Sequence, residues 1–158
     1  PDKIMNEIPD FEDLLVLFHE HGVRYLVVGG LAFIFHAKPR YTKDMDLWVE
    51  GSAENIARAN QALSEYGSPT LLDFDIPNQA LQIGVAPNRI NLLLEMHPLS
   101  FAEAWEKRVK SQYGGSQACW IDIESLLQIK SAINHPRHQE DARVLCQIID
   151  RKPKSNPE

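Results

Sequence analysis

Two aspartates separated by a single residue are the first candidates for chemistry in this sequence. Asp44 and Asp46 stand at the start of an apolar run, residues 45–49, that is typical of a β-strand. Because side chains on a strand alternate between its two faces, both carboxylates point the same way, and their repulsion favours a cation between them. A hard divalent ion, Mg²⁺ or Mn²⁺, binds carboxylate oxygens together with substrate phosphates. The pair therefore predicts a metal site, whereas the equally spaced Asp73 and Asp75 are predicted to lie in a solvated loop.

A glycine pair that precedes the aspartates is the second candidate. Gly29 and Gly30 stand between a buried apolar strand and the start of a helix. Without Cβ atoms, their backbone lets a phosphate approach closely, and the N–H groups at a helix N-terminus attract an anion. Arg40 and Lys43 add positive charge for a triphosphate, and Thr42 offers a hydrogen bond to a phosphate or to the loop. Each motif alone is common in turns and strand ends, but their order along the chain predicts a nucleotide-binding site.

The elements that must hold these residues follow from apolar spacing and from capping residues. Helical periodicity predicts helices that begin near Pro9, Leu31, Ser52, Ser100 and Asp122 and after Pro136, and short apolar runs predict strands over residues 25–28, 45–49 and 118–121. Residues 81–95 have the alternation and the central turn of a β-hairpin. The pattern indicates an α/β (α+β) protein. We expect a single domain over residues 1–150, helical in its C-terminal part, and a polar tail over residues 151–158.

Composition limits the class of protein. The 158 residues are 44% hydrophobic and 24% charged, which excludes disordered, collagen-like and disulfide-scaffold chains. The net charge of −6 disfavours general nucleic-acid binding, although Lys107, Arg108, Lys110 and Lys130 allow a local basic patch. The sequence shows neither a signal peptide nor an apolar run long enough for a membrane span, so we expect a cytoplasmic protein without membrane contact.

Taken in order, the motifs resemble those of small nucleotidyltransferases of the DNA polymerase β superfamily. The resemblance is strongest to short bacterial proteins related to the nucleotidyltransferases of toxin–antitoxin and abortive-infection systems. The matching segments are the glycine pair, Arg40-x-Thr42-x-Asp44-x-Asp46, Pro87-Asn88-Arg89-Ile90-Asn91-Leu92-Leu93, Phe101-x-Glu103-Ala104-Trp105 and Leu126-x-x-x-Lys130. They fall within residues 10–150, and the first two are the most specific.

The resemblance implies a mixed sheet flanked by helices, with the acidic residues on adjacent strands. It also implies two Mg²⁺ ions and transfer of a nucleoside monophosphate from an NTP to an acceptor hydroxyl of RNA, a protein or a small molecule. By position, Asp44 and Asp46 would hold the metal. Gly29 and Gly30 would contact the triphosphate, and Lys130 would reach a phosphate or the substrate, the alternative being an ordinary solvated lysine.

The sequence departs from the family pattern at a catalytic position. Asn91 stands where the family has a third acid, which often acts as base for the attacking hydroxyl and binds one metal ion. Asparagine carries no charge and cannot accept that proton. Glu95 shares the strand face of Asn91 but lies roughly 13 Å further along, too far to replace the acid. Near the C-terminus, His138 stands in place of another acid, and Asp141 keeps a later one.

Two hypotheses about function therefore stay open. One is an active Mg²⁺-dependent nucleotidyltransferase that tolerates Asn91. The other is a catalytically degenerate module that keeps the fold, binds nucleotide and works through a protein partner, for example as a toxin–antitoxin component. The intact glycine pair and Asp-x-Asp motif favour the first hypothesis, and Asn91 favours the second.

Overall fold

The computed structural model describes residues 9–85 and 87–151. In chain order its elements are α1 Pro9–Glu20, β1 Tyr25–Val28, α2 Gly29–His36, β2 Asp44–Val49, α3 Ala53–Tyr66, β3 Ala80–Ile83, β4 Arg89–Leu93, α4 Phe101–Glu106, β5 Val109–Tyr113, β6 Ser116–Trp120, α5 Ile123–Ala132 and α6 Pro136–Arg151. Among these helices, none combines the length and the apolar character that crossing a bilayer requires.

The strands form one mixed sheet in the order β3-β4-β2-β1-β6-β5. β1 is antiparallel to β2 and parallel to β6, and β2 is parallel to β4. The C-terminal end of β1 therefore meets the N-terminal ends of β2 and β4. This line of strand ends forms one edge of the sheet, which runs across the strands and is distinct from the edge strands β3 and β5. The pairings of Val28 with Asp46 and of Asp46 with Asn91 bring three positions of interest side by side there. The fold class predicted from the sequence, an α/β protein with a mixed sheet and flanking helices, is confirmed.

An apolar core fixes the strand that leads into this edge. All four residues of β1 are buried, and Trp48, Tyr25 and Phe33 are among the largest fully buried side chains. α1 packs against α3 and β6, and α5 packs against α6 and α2. Because each fully buried large apolar side chain stabilises the fold by about 1.5–3 kcal/mol, the end of β1 is held firmly.

Most of the predicted boundaries are confirmed, and side-chain caps explain several of them. The Ser52 hydroxyl accepts a hydrogen bond from the backbone N–H of Asn55 at the start of α3. Ser100 opens a capping box, and the Asp122 carboxylate caps α5. Residues 81–95 contain the predicted hairpin, in which β3 and β4 are antiparallel.

Two predictions about elements are wrong. α2 begins at Gly29 rather than at Leu31, so the glycine pair forms the first turn of the helix instead of separating it from β1. β5 was not predicted at all, although it forms a hairpin with β6. Its central residues, 110–112, are polar and exposed, as suits a strand at the edge of a sheet, and they lack the apolar alternation that marks a half-buried strand.

A buried asparagine ties α3 to the strands. The side-chain oxygen of Asn55 accepts a hydrogen bond from the backbone N–H of Arg24 at 2.8 Å. Its Nδ2 group donates to the backbone carbonyls of Arg24 at 3.1 Å and of Glu50 at 2.8 Å. Asn55 therefore joins the residue before β1, the residue after β2 and the first turn of α3.

We expect Asn55→Ala to lower the free energy of unfolding by about 2–3 kcal/mol, because it leaves buried backbone groups without partners. Urea denaturation of the variant and the parent chain measures this difference. Asn134→Ala, at an exposed position, is the control and should change stability little. Equal losses in the two variants would contradict the role given to Asn55.

Candidate functional site

The glycine pair lies directly against the second aspartate and the threonine of the predicted motif. Gly29 has φ +69°, and a Cβ atom there would stand 2.1 Å from Oδ2 of Asp46. A Cβ atom on Gly30 would stand 2.8 Å from Oγ1 of Thr42. Val28 occupies the N-cap of α2, and its side chain has no oxygen with which to cap the helix. The first-turn N–H groups of α2 therefore stay available to an anion beside the Asp46 carboxylate.

Each of the two aspartates has a hydrogen-bonding partner on β4. The Asn91 Nδ2–H group donates to Oδ1 of Asp46 at 2.8 Å. The guanidinium of Arg89 holds Asp44 in a fork, with Nε donating to Oδ1 at 2.8 Å and Nη2 donating to Oδ2 at 3.2 Å. Both partners follow from the parallel register, in which Asp44 faces Arg89 and Asp46 faces Asn91.

The environment of Asp46 favours a cation. Burial raises the pKa of Asp46, and the charge of Asp44 raises it further. The hydrogen bond from Asn91 and the positive charges of Arg89 and Lys130 act in the opposite direction. A further positive charge beside the Asp46 carboxylate would offset the remaining cost of burying that carboxylate.

A buried ion cluster stands behind the site. Arg40 donates to both carboxylate oxygens of Asp141, at 2.8 and 3.0 Å, and the Nζ group of Lys130 donates to the same carboxylate at 2.8 Å. Lys130 is only 4% exposed, so the alternative of a solvated lysine is wrong. Two cations share one anion in this Arg40–Asp141–Lys130 cluster, which leaves it with one net positive charge. Of its members, the charge of Lys130 acts on Asp46 and lowers the pKa of that carboxyl.

His138 lies beside this cluster. Burial alone would raise the pKa of Asp141, but the hydrogen bonds from Arg40 and Lys130 outweigh it and hold that pKa below its usual value. Burial and the charge of Lys130 lower the pKa of His138. A neutral His138 accepts a hydrogen bond from Lys130 through Nδ1, at 3.3 Å.

Two small cavities flank the aspartates. One, of about 330 Å³, is lined on its basic side by Lys43, Arg89 and Arg137 and also contacts Asp44. The other, of about 260 Å³, lies over β3 and β4 and contacts Asp46, Asn91 and neighbouring residues of both strands. The first cavity is cationic, and the second has only polar and apolar side chains around Asp46.

The donors at this edge suit a hard divalent ion. The carboxylates of Asp44 and Asp46 and the side-chain carbonyl of Asn91 are oxygen ligands of the kind that Mg²⁺ binds. Arg89 and the Asn91 amide now contact the carboxylates, so an ion has to displace them. No group of three His, Cys, Asp or Glu side chains converges within residues 9–85 and 87–151, so a nucleotide's phosphates would have to complete the coordination.

Comparison with known proteins identifies the fold. No protein-family model and no curated sequence matches the chain, but solved structures do. ANT(2″)-Ia, solved with adenylyl-2″-tobramycin, matches with a TM-score of 0.63 and 13% identity over 92% of this chain and 90% of its own. The lincomycin-bound lincosamide antibiotic adenylyltransferase LnuA matches with a TM-score of 0.61 and 16% identity over 93% of this chain and 99% of its own. The chain has the nucleotidyltransferase fold.

A third structure extends the comparison beyond proteins named for antibiotics. An antigenic nucleotidyltransferase-like protein from Paracoccidioides brasiliensis matches with a TM-score of 0.56 and 14% identity over 92% of this chain and 76% of its own. At such identities the likeness concerns the nucleotidyltransferase fold and leaves activity to be argued from the residues.

Within this nucleotidyltransferase fold, the structure gathers most of the predicted residues but changes the contacts of some. Gly29, Asp44, Asp46 and Asn91 lie together at the edge of the sheet. Arg40 was expected to supply positive charge for a triphosphate, and here both terminal nitrogens of its guanidinium are bonded to Asp141. The carboxylate of Asp141, which is buried and lies 101 residues away in the sequence, binds the Arg40 guanidinium in place of a phosphate.

Sequence reasoning missed two basic residues at the site. Arg89 lies two residues before Asn91 on β4, so strand parity alone would have placed it on the same face as the aspartates. Arg137 lines the cationic cavity from the start of α6. No local sequence pattern predicts that Arg137 lies at the site, because the packing of α6 against α5 brings it there.

The close approach of Gly29 to Asp46 can be measured through stability. Gly29→Ala must adopt a left-handed backbone and must also displace the Asp46 carboxylate from Asn91. We expect a loss of about 1–2 kcal/mol from the backbone and about 1.5–3 kcal/mol more from the hydrogen bond to a charged group. Gly67→Ala is the matched control, since Gly67 has φ +95° and a Cβ atom there meets nothing within 4 Å. Chemical denaturation giving equal losses for both variants would contradict the contact.

The ion cluster predicts a pH-dependent contribution to stability. Asp141→Asn leaves two buried cations without their anion, so we expect a loss of about 3–5 kcal/mol at neutral pH. Because the pKa of Asp141 is lowered in the folded protein, its contribution is complete above the unfolded pKa of about 3.9 and is lost as the pH falls through the folded value. The gap between the parent and the variant in urea denaturation should therefore close in acid. Glu140→Gln, on the exposed face of α6, serves as the control and should show no comparable gap.

Proposed function

We propose that this protein binds a nucleoside triphosphate with a divalent metal ion and transfers the nucleoside monophosphate to a hydroxyl group of an acceptor. The observation that carries the proposal is the contact between the first turn of α2 and the carboxylate of Asp46. This contact puts an anion-binding helix end and a metal-type carboxylate within reach of the same phosphate.

The chain offers a separate set of groups to the phosphates. The N–H groups of Gly29 and Gly30 would bind the triphosphate, and Thr42 stands beside Gly30 as a hydrogen-bonding partner. Lys43 and Arg137 line the cationic cavity next to Asp44 and would neutralise the outer phosphates. Arg40 and Lys130 would act mainly through the net positive charge of their cluster with Asp141.

Asp44 and Asp46 would hold Mg²⁺ or Mn²⁺, with the side-chain oxygen of Asn91 as a further ligand. When bound, such an ion stabilises the charge that develops on the phosphoryl oxygens and on the leaving group. Arg89 would then move from Asp44 toward a phosphate, because the ion takes over the charge that Arg89 now balances.

The transfer itself breaks one bond and forms one. The acceptor oxygen bonds to the α-phosphorus, the bond from that phosphorus to the bridging oxygen breaks, and pyrophosphate leaves. Asn91 cannot take the proton of the hydroxyl, so the proton passes to water. The role of the protein is to align the acceptor oxygen with the bridging oxygen and to neutralise the phosphates. These two effects make up the larger share of catalysis in phosphoryl-type transfers.

A small-molecule hydroxyl is the acceptor that we favour. The cavity over β3 and β4 touches Asp46 and Asn91, so an acceptor bound there would lie beside the residues proposed to hold the metal ion. Its volume of about 260 Å³ can hold the hydroxyl-bearing portion of a small molecule. ANT(2″)-Ia was solved with an adenylylated tobramycin and LnuA with lincomycin. These bound small molecules also favour a small-molecule acceptor. RNA and protein hydroxyls are the other acceptors to test.

A second candidate is a module that binds nucleotide without transferring it and acts through a protein partner. The observation in its favour is that Asn91 donates to Asp46 and Arg89 pairs with Asp44, so the acids are stable without a metal ion. An arrangement of this kind preserves the fold and a nucleotide site after catalysis is lost.

Transfer of label from α-labelled NTPs distinguishes the two candidates. The protein would be incubated with Mg²⁺ or Mn²⁺, each NTP and either a bacterial lysate or a small-molecule fraction of it. Active enzyme predicts a labelled product from the parent chain and a loss of at least about 100-fold with Asp44→Asn, in line with removal of a major electrostatic group. Asp75→Asn makes the same replacement in an equally spaced aspartate pair outside the site, and it should leave transfer unchanged.

Asn91→Asp separates the remaining outcomes. Label that appears only with Asn91→Asp would support the degenerate module, because the third acid alone then restores chemistry. If neither chain transfers label, calorimetry with ATP and Mn²⁺ decides whether nucleotide binds at all. Binding that is lost in Asp44→Asn supports the module, and binding that is absent in the parent chain contradicts both candidates.

A further inference from the structure

A larger cavity lies at the opposite end of β1 from the aspartates. It encloses about 710 Å³, and the side chains that matter on its wall are His19, Arg24, Trp105, Arg108, Lys110 and Cys119. Arg24 directly precedes β1, whereas Gly29 directly follows it. The four residues of β1 separate the two positions, so five steps of extended chain span roughly 16 Å. This Arg24–Arg108 cavity is therefore distinct from the nucleotide site proposed above.

The cavity is positive although the chain is acidic. Arg24, Arg108 and Lys110 line it, and among the described residues on its wall none is Asp or Glu. The nearest carboxylate bonded to these cations is Glu50, whose Oε2 lies 3.8 Å from Nη1 of Arg24. The basic patch expected from the sequence is thus divided, since Lys130 belongs to the buried cluster behind the aspartates. In a chain of net charge −6, such a concentration of cations requires an explanation.

Two of the cations are arranged around one tryptophan. The guanidinium carbon of Arg108 lies 3.9 Å from the centroid of the Trp105 ring, and its Nη1 donates to the backbone carbonyl of Trp105 at 2.8 Å. The guanidinium of Arg24 lies 5.9 Å from the same ring. Nε of Arg108 is buried and has no hydrogen-bond partner among the described residues. Stacking holds the guanidinium in place, so an anion meets a donor that is already oriented.

The third cation approaches from the sheet. Lys110 pairs with Cys119 across β5 and β6. Burial raises the pKa of the Cys119 thiol, and the charges of Arg108 and Lys110 act against that rise, so both cations are near the same point of the wall. Positive groups from the start of β1, the end of α4 and the β5–β6 hairpin therefore surround one space.

We propose that the Arg24–Arg108 cavity binds a small phosphorylated molecule through its phosphate group. Guanidinium groups match phosphate oxygens in charge and in geometry, and the volume lies within the range of small-molecule sites, about 300–1,000 Å³. A small ligand is favoured over a nucleic acid because the cations gather around one cavity and the rest of the chain repels a polyanion. The proposal is independent of catalysis at Asp44 and Asp46.

Indole resonances provide a direct test. The chain has three tryptophans, and of these only Trp105 is part of the wall described for this cavity. In ¹H–¹⁵N spectra of the full chain, inorganic phosphate and ribose 5-phosphate should each shift the Trp105 indole signal in a saturable way, and Trp105→Phe assigns that signal. A tighter response to ribose 5-phosphate would identify an ester as the ligand, and equal responses would identify free phosphate as sufficient.

Variants and salts decide the outcome. Arg108→Met should weaken phosphate binding at least tenfold, about 1.4 kcal/mol. Arg143→Met, at an exposed position of α6, should leave binding unchanged, and so should Asp44→Asn, which separates this test from that of the proposed enzyme. The proposal fails if phosphate gives no saturable shift, if potassium chloride at equal ionic strength gives the same shift, or if Arg108→Met binds as the parent does. Tighter binding of an RNA oligonucleotide than of ribose 5-phosphate would overturn it in favour of a nucleic-acid surface.

Discussion

The contact between the backbone of Gly29 and the carboxylate of Asp46 is the constraint on which the rest of the site depends. It requires a residue without a Cβ atom at φ +69°, a helix that begins at that residue, and a β1–β2 register that pairs Val28 with Asp46. A one-residue slip of β2 would turn both aspartates to the other face of the sheet. The buried β1 strand prevents that slip, so the apolar core and the polar site are specified together.

Charge balance is the second determinant of the arrangement. Asp44 faces the guanidinium of Arg89, and Asp46 faces an amide donor, so neither carboxylate lacks a partner. Behind them, the Arg40–Asp141–Lys130 cluster carries one more positive than negative charge. A buried excess of positive charge is costly unless an anion lies near it, and Asp46 and an incoming phosphate both meet that need. The same cluster that stabilises α5 against α6 would therefore add to the attraction of the proposed site for phosphate.

Local patterns in the sequence predicted the strand parity of the aspartates and the caps of α3, α4 and α5, and the family resemblance implied the mixed sheet. They could not predict the pairing of Arg40 with Asp141, because the two residues are 101 positions apart and meet only after α6 packs on α5. β5 escaped prediction for a different reason, since an edge strand with polar central residues has no periodic signal. The position of Arg89 could have been predicted, because the alternation that placed Asp44 and Asp46 on one face also places Arg89 and Asn91 on one face.

The amide of Asn91 at this position would change how the site binds the proposed metal ion. With a third aspartate, the edge would carry three negative charges against the one positive charge of Arg89. With Asn91 it carries two, and the amide N–H stabilises Asp46 where a third carboxylate would repel it. The free chain is thereby stabilised, and its attraction for a divalent ion would be weaker than with a third carboxylate. Under the function proposed above, a nucleoside triphosphate would supply further negative charge, so metal and nucleotide binding would be coupled, each strengthening the other by the same factor. Asn91 would then make metal binding depend on the nucleotide while leaving intact the geometry that Gly29 and Asp46 impose.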